Sequence, residues 1–300
     1  MAERARYVVV RDGVWQQYYW RWGAPSFGLD ILAGPDAFSR FVAGRQEAGP
    51  GDWMDDVQCE AAAVVDHDAR VLLLFTWHLE SWDERSVMFE VLARTWPGWR
   101  VRWAYDGLED IVAHVGVQRE LVRSELATRG GHVPFDPADI DEPDFTLAVT
   151  VAYRDGTQGH LVAGENVADV LGHGPEVVRQ LLPGTRARTA PRIPYGGVHL
   201  DVPAREVSAW TYGNFLGGAA AGRPPGWDGW RWTCWFDAYD KQQEASGGAI
   251  LFPAPLRAAG VRPWLEQLDE HHPPGAPGTQ QRRELRDVLT QLSTTLHDSP

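Results

Sequence analysis

The chain has 300 residues, of which 44% are hydrophobic and 23% charged, the profile of a globular protein long enough for two domains. Its formal net charge of −13 argues against nucleic acid as a partner, because phosphate recognition needs a basic patch; it fits solubility or a basic protein partner. Two cysteines without a Cys-x-x-Cys pair exclude a zinc ribbon and a disulfide framework.

The N-terminus reaches a charged turn after a short apolar run, and no apolar stretch approaches the ~18 residues of a membrane helix. The expectation is a cytoplasmic protein, with no membrane and no cofactor. The unusual count is 15 tryptophans, nine in residues 1–103 and five in residues 210–235. Clustering of that kind asks for a repeat.

In chain order, a strand over Tyr7–Val10 ends at Arg11-Asp12-Gly13, residues suited to a tight turn. A second strand, VWQQYYWRWG, puts Tyr18, Trp20 and Trp22 on one face and Gln17, Tyr19 and Arg21 on the other. Gly34-Pro35 opens a helix with Phe38, Phe41 and Val42 on its apolar stripe. A hairpin follows, EAAAVVD and RVLLLFTW, turning at His67-Asp68; its second strand is apolar throughout, as for a central strand covered on both faces. A helix near residues 85–95 leads to the strand WRVRW, with Trp99, Val101 and Trp103 inward and Arg100 and Arg102 toward water. Asp106 and Glu109 have the spacing of a capping box before a helix carrying Leu108, Ile111, Val112 and Val115.

The second half repeats this order. Arg154-Asp155-Gly156 follows LAVTVAY, Gly174-Pro175 matches Gly34-Pro35, LDVPAR (200–205) matches VDHDAR (65–70), and PGWDGWRWTCWFDAYD matches PGWRVRWAYD. The offsets drift from 143 through 140 and 135 to 128. These similarities predict an α+β fold: a tandem duplication of a mixed strand/helix unit, about ββαββαβα, with a C-terminal helical tail. The expected boundaries are 1–128 for the first repeat, 129–144 for an acidic Pro/Gly linker, 145–252 for the second repeat and 253–300 for the helical extension. In the tail, a helix broken at Pro263 is expected, then a second helix with Leu285, Val288, Leu289, Leu292 and Leu296 on one stripe. That stripe suits packing on the body of the protein or on a second copy in a homodimer.

His199-x-Asp201, with His271 or His272 downstream, resembles the His-x-Asp, long gap, His pattern of iron/2-oxoglutarate dioxygenases, which implies a metal site at His199, Asp201 and His271. Two features depart from it: the distal histidines sit in a Pro-rich stretch, and Asp201 has a counterpart in Asp66 whereas His199 is matched by Val64. The bland alternative is that Asp201 caps a turn. Cys59 and Cys234 lie in apolar strands, as small buried hydrophobes do. No Gly-x-Ser-x-Gly elbow or P-loop is present, and GGAAAG (217–222) reads as a flexible connection.

The aromatic set is the expected binding surface: Tyr18, Tyr19, Trp20, Arg21 and Trp22, with Trp99, Trp103, Trp230 and Trp232. The functional expectation is a non-enzymatic, acidic interaction protein that sequesters a basic protein partner, as immunity proteins and antitoxins do. The alternative is an enzyme or small-ligand binder with a Trp-lined cleft between the repeats, using carboxylates such as Asp66, Asp201 or Asp237.

Overall fold

The computed structural model describes residues 3–124, 144–164, 166–181, 188–213, 216–270 and 279–294. The chain is α+β and divides into two compact units, Met1–Ser124 with Pro255–Pro300, and Glu125–Ala254. The expected linker at 129–144 lies outside the described residues except for Asp144.

The first unit contains strands β1 (Ala5–Arg11), β2 (Val14–Trp20), β3 (Gln46–Ala48), β4 (Ala61–Asp66), β5 (Val71–Thr76) and β6 (Arg100–Trp103), in the order β3-β2-β1-β4-β5-β6. Strand β1 runs antiparallel to β2 and parallel to β4, β4 antiparallel to β5, and β5 parallel to β6. Helices α1 (Phe27–Ile31), α2 (Pro35–Ala43) and α3 (Trp82–Thr95) lie on the Tyr7 face, where Tyr7 stacks on Phe27 at 6.0 Å and meets Phe38 edge-on at 5.7 Å. Helix α4 (Leu108–His114) covers the opposite face, where His114 bonds Asp66 at 2.9 Å. Strand β5 is buried at every position, as its apolar run requires for a central strand with both faces covered.

The second unit contains β7 (Leu147–Tyr153), β8 (Gly156–Val162), β9 (Arg188–Thr189), β10 (Gly196–Asp201), β11 (Glu206–Thr211), β12 (Arg231–Phe236) and β13 (Ile250–Leu251). Its larger sheet, read as β8-β7-β10-β11-β12, has the strand order and pairing senses of β2-β1-β4-β5-β6. Helices α5 (Val167–Gly172), α6 (Val177–Gln180) and α7 (Asp240–Ala245) belong to it. A short sheet pairs β9 with β13.

Local features match as well. Asp66 and Asp201 each cap the turn that follows, accepting the amides of Ala69 at 2.8 Å and Ala204 at 2.9 Å. Both turns close with an arginine at positive φ, Arg70 at 50° and Arg205 at 53°. Trp96 donates its indole N–H to the Ile31 carbonyl at 2.8 Å, and Trp227 donates to Leu171 at 2.7 Å. Each carries an edge-on tryptophan three residues later, Trp99 at 5.0 Å and Trp230 at 5.2 Å. The middle of each turn needs a left-handed residue, and Gly98 and Gly229 both sit at φ 78°.

Two sequence alignments shift accordingly. Trp-x-Gly-Trp (96–99) corresponds to Trp-x-Gly-Trp (227–230), an offset of 131 rather than 128. The Arg-Asp-Gly triplets are displaced by one position: Asp12-Gly13 forms the first hairpin loop, between Arg11 and Val14, whereas Arg154-Asp155 forms the second, between Tyr153 and Gly156. The capping box at Asp106 and Glu109 is absent. Gly107 occupies the N-cap, the backbone N–H of Asp106 donates to the Asp110 carboxylate at 3.0 Å, and Glu109 pairs with Arg123.

The tail, helices α8 (Arg257–Glu270) and α9 (Thr279–Thr294), belongs to the first unit. Trp264 enters its core and donates to the Glu84 carbonyl at 3.1 Å. A β-carbon at Gly28 would lie 2.6 Å from the Trp264 ring, so glycine is what admits it. Leu285, Leu289 and Leu292 are buried in the same core, so the stripe expected to suit a homodimer is covered within the chain; Leu296 lies outside the described residues. Helix α8 runs unbroken through Pro263, whose missing N–H leaves only the carbonyl of exposed Ala259 unbonded in the helix.

Candidate functional site

The aromatic set divides by exposure. Strand β2 ends at Trp20, earlier than expected, so Arg21 and Trp22 lie in the turn beyond it. Trp22 is 51% exposed, and the Arg21 guanidinium rests 5.2 Å from its ring. The turn is tightly seated. Gly23 has no room for a β-carbon, which would lie 2.8 Å from the Tyr7 hydroxyl and 2.9 Å from Trp20. Ala24 donates its amide to the Glu3 carbonyl at 3.1 Å. Pressed onto β1 in this way, the turn projects Trp22 outward.

The other members hold the fold. Trp20 is half-buried between Phe41, at 5.5 Å, and the Arg45 guanidinium, at 4.7 Å. Tyr18 is half-buried on the same face as Trp20, and Tyr19 lies on the other, under the Arg6 guanidinium at 5.5 Å. Trp103 is 5% exposed, with Arg85 at 4.8 Å from its ring. Trp99 and Trp230 are the edge-on partners of Trp96 and Trp227, and Trp232 donates to the Ala219 carbonyl at 3.1 Å.

His199 sits in a buried polar chain. The Trp210 indole donates to Gln242 Oε1 at 2.6 Å, and Gln242 Nε2 lies 2.9 Å from the Val198 carbonyl and 3.1 Å from Thr150 Oγ1. Gln242 Nε2 also lies 3.1 Å from the Ala148 carbonyl, and Thr150 Oγ1 continues the chain to His199 Nδ1 at 2.8 Å. Burial lowers the pKa of His199. Trp235 stacks on it at 6.0 Å. Nδ1 is engaged with Thr150, and Asp201 is engaged in its turn. His271 lies outside the described residues, and no group of three metal-ligating side chains occurs among the described ones.

Cys59 is fully buried, and burial pushes its thiol up to about 12, far from a thiolate nucleophile at neutral pH. Ser39 Oγ lies 2.9 Å from His67 Nε2, but Arg11 Nη2 reaches the same nitrogen at 3.1 Å. A guanidinium only donates, so Nε2 is already an acceptor. Burial, then the charge of Arg11, lower the pKa of His67. The cluster locks the β4–β5 turn to α2 and gives Ser39 no free base.

Three features lay outside the sequence reading. Asp30 is buried in α1, accepts from Ser26 Oγ at 2.8 Å, and has its pKa raised to about 7 by burial. Glu84, at the start of α3, is likewise raised to about 7 by burial. Arg6 and Gln17 are buried on the α4 face of β1 and β2 with polar atoms left unbonded. An Asp inside the apolar run FGLDIL was the one available signal for Asp30.

Comparison with known protein families, with curated proteins and with solved structures finds no match. No helix among the described residues is long and apolar enough to cross a membrane.

Proposed function

We propose that the chain is a protein-binding module that engages a basic protein partner through the turn carrying Arg21 and Trp22, a sequestering role of the kind immunity proteins and antitoxins have. The observation that carries this reading is the half-exposed Trp22, beside a tightly packed Gly23 and with Arg21 against its ring. Tryptophan and arginine are the side chains most enriched among residues that dominate binding energy, and a preordered turn reduces the entropy lost on association. A net charge of −13 favours encounter with a basic surface and makes the on-rate fall with salt. The matched Trp-x-Gly-Trp turns support a common origin of the two units by duplication. In that case Trp22 belongs to a part of the first unit that the second does not copy.

The test is parallel capture from the native host with wild-type protein and Trp22→Ala. The expected result is one stoichiometric protein of basic isoelectric point, bound about thirtyfold more weakly by the variant, the loss of roughly 2 kcal/mol typical of a central tryptophan. Equal capture by both proteins, or a partner that is acidic, overturns the proposal.

A further inference from the structure

The first unit holds an uncompensated buried cation. Arg6 is 3% exposed, yet its Nε and Nη1 have no hydrogen-bond partner; Nη2 alone is bonded, to the Asp52 carbonyl at 2.6 Å. Among the described residues no carboxylate pairs with it: that of Asp52, whose charge acts on Arg6, turns back to accept the Gly49 amide at 2.8 Å. Burial lowers the pKa of Arg6, but a guanidinium stays charged at neutral pH. Isolating such a charge from water is costly unless an anion meets it.

Two further orphans share its face. Arg6 opposes Tyr19 and Gln17 opposes Val8, so Arg6 and Gln17 are diagonal neighbours on one side of β1 and β2. The segment Gly49–Trp53 crosses them, since Gln17 donates to the Gly49 carbonyl, Arg6 donates to Asp52, and Trp53 packs on Trp15 at 5.8 Å. The Trp53 indole N–H is buried and unbonded. Because the Gln17 amide nitrogen is spent on a carbonyl, the orphan atom on that side chain is Oε1, an acceptor. The cluster thus presents three donor nitrogens, Arg6 Nε and Nη1 and Trp53 Nε1, with one acceptor, Gln17 Oε1, on the strand face that carries Tyr19 and Trp15.

We propose that Arg6, Gln17 and Trp53 form a binding site for inorganic phosphate, an oxyanion that keeps an O–H at neutral pH, beneath the Gly49–Trp53 segment. The donors and the charge of Arg6 hold the anionic oxygens. Gln17 Oε1 accepts the ligand's own O–H, a proton that sulfate lacks at neutral pH. The site therefore selects phosphate over sulfate, and it stands independently of the Trp22 surface.

The experiment is calorimetric titration of the full chain with inorganic phosphate, with sulfate, and with a simple phosphate monoester, each at chloride-matched ionic strength. Saturable binding of phosphate, at least about tenfold tighter than sulfate, is expected. The monoester arm tests the O–H: a monoester, mostly dianionic and without one at neutral pH, is expected to bind as weakly as sulfate, and monoester binding as tight as phosphate overturns the proposal. Trp53→Phe, which keeps the ring and removes only the N–H, is expected to weaken phosphate about tenfold. Gln17→Glu, which sets a carboxylate against the ligand, is expected to abolish binding. Absence of saturable phosphate binding, sulfate binding as tight as phosphate, or unchanged affinity in either variant overturns the proposal.

Discussion

Replacing Asp30 by Asn isolates one pH-dependent element that a buried carboxyl predicts. In the native state the Asp30 carboxyl is buried in α1, with one hydrogen bond from Ser26, and its pKa rises from 3.8 to about 7. The unfolded chain releases this proton near the ordinary value while the native protein keeps it. Stability from the group is therefore fully present below about pH 4 and is lost as pH rises through about 7. At about 1.4 kcal/mol per pH unit, a rise of that size corresponds to roughly 4 kcal/mol across the window. Asn is neutral at every pH and still accepts from Ser26. Urea denaturation of both proteins at pH 4, 6 and 8 should show Asp30→Asn gaining on wild type as pH rises, by up to about 4 kcal/mol. Glu84 titrates in the same direction in both proteins, so the difference between them belongs to Asp30. Parallel stability profiles, or a variant that loses ground at high pH, would refute the reasoning.

Three further outcomes follow from other parts of the fold. Trp227→Phe removes the donor to the buried Leu171 carbonyl and should cost about 1–3 kcal/mol in chemical denaturation; a loss under about 0.5 kcal/mol would show that water replaces the bond. Gly28→Ala places a β-carbon against the Trp264 ring, which should cost about 1–3 kcal/mol and make the C-terminal helices the first site of limited proteolysis, with unchanged cleavage counting against the docked tail. Native protein should react with a thiol reagent at Cys234 alone, Cys59 becoming reactive only on unfolding, since Cys59 is fully buried with its pKa near 12; rapid labelling of both would contradict the burial of the segment leading into β4.

Much of the backbone is legible where a single residue type has a single local use. The two Asp-x-x-Ala-Arg turns, the helix opened at Gly34-Pro35 and the wholly apolar β5 follow from capping, positive φ and two-sided burial. What a face packs against is not local information. The stripe of Leu285, Leu289 and Leu292 states that α9 is covered but not by what: it packs on α8 beside it and on α3, which lies more than 150 residues upstream. The aromatic alternation of VWQQYYWRWG identifies β2, yet the strand stops at Trp20 because Gly23 permits a close approach to Tyr7, and that stop exposes Trp22. Gln242 is the clearest polar case. Its polar contacts with Trp210, Ala148, Thr150 and Val198 depend on Gly197, where a β-carbon would collide with Gln242 Oε1. The His-x-Asp spacing offers His199 as a ligand, while the Thr150 side chain that engages its Nδ1 lies on another strand, 49 residues away in sequence.

The most direct test of the binding role places a photoreactive amino acid at position 22 of the full chain in its native cells, followed by irradiation and mass spectrometry of the adducts. The account predicts one dominant covalent adduct with a basic protein, competed by untagged wild-type chain and weakened by salt in lysate. An adduct pattern no different from that of the same residue placed at exposed Asp68 would contradict it.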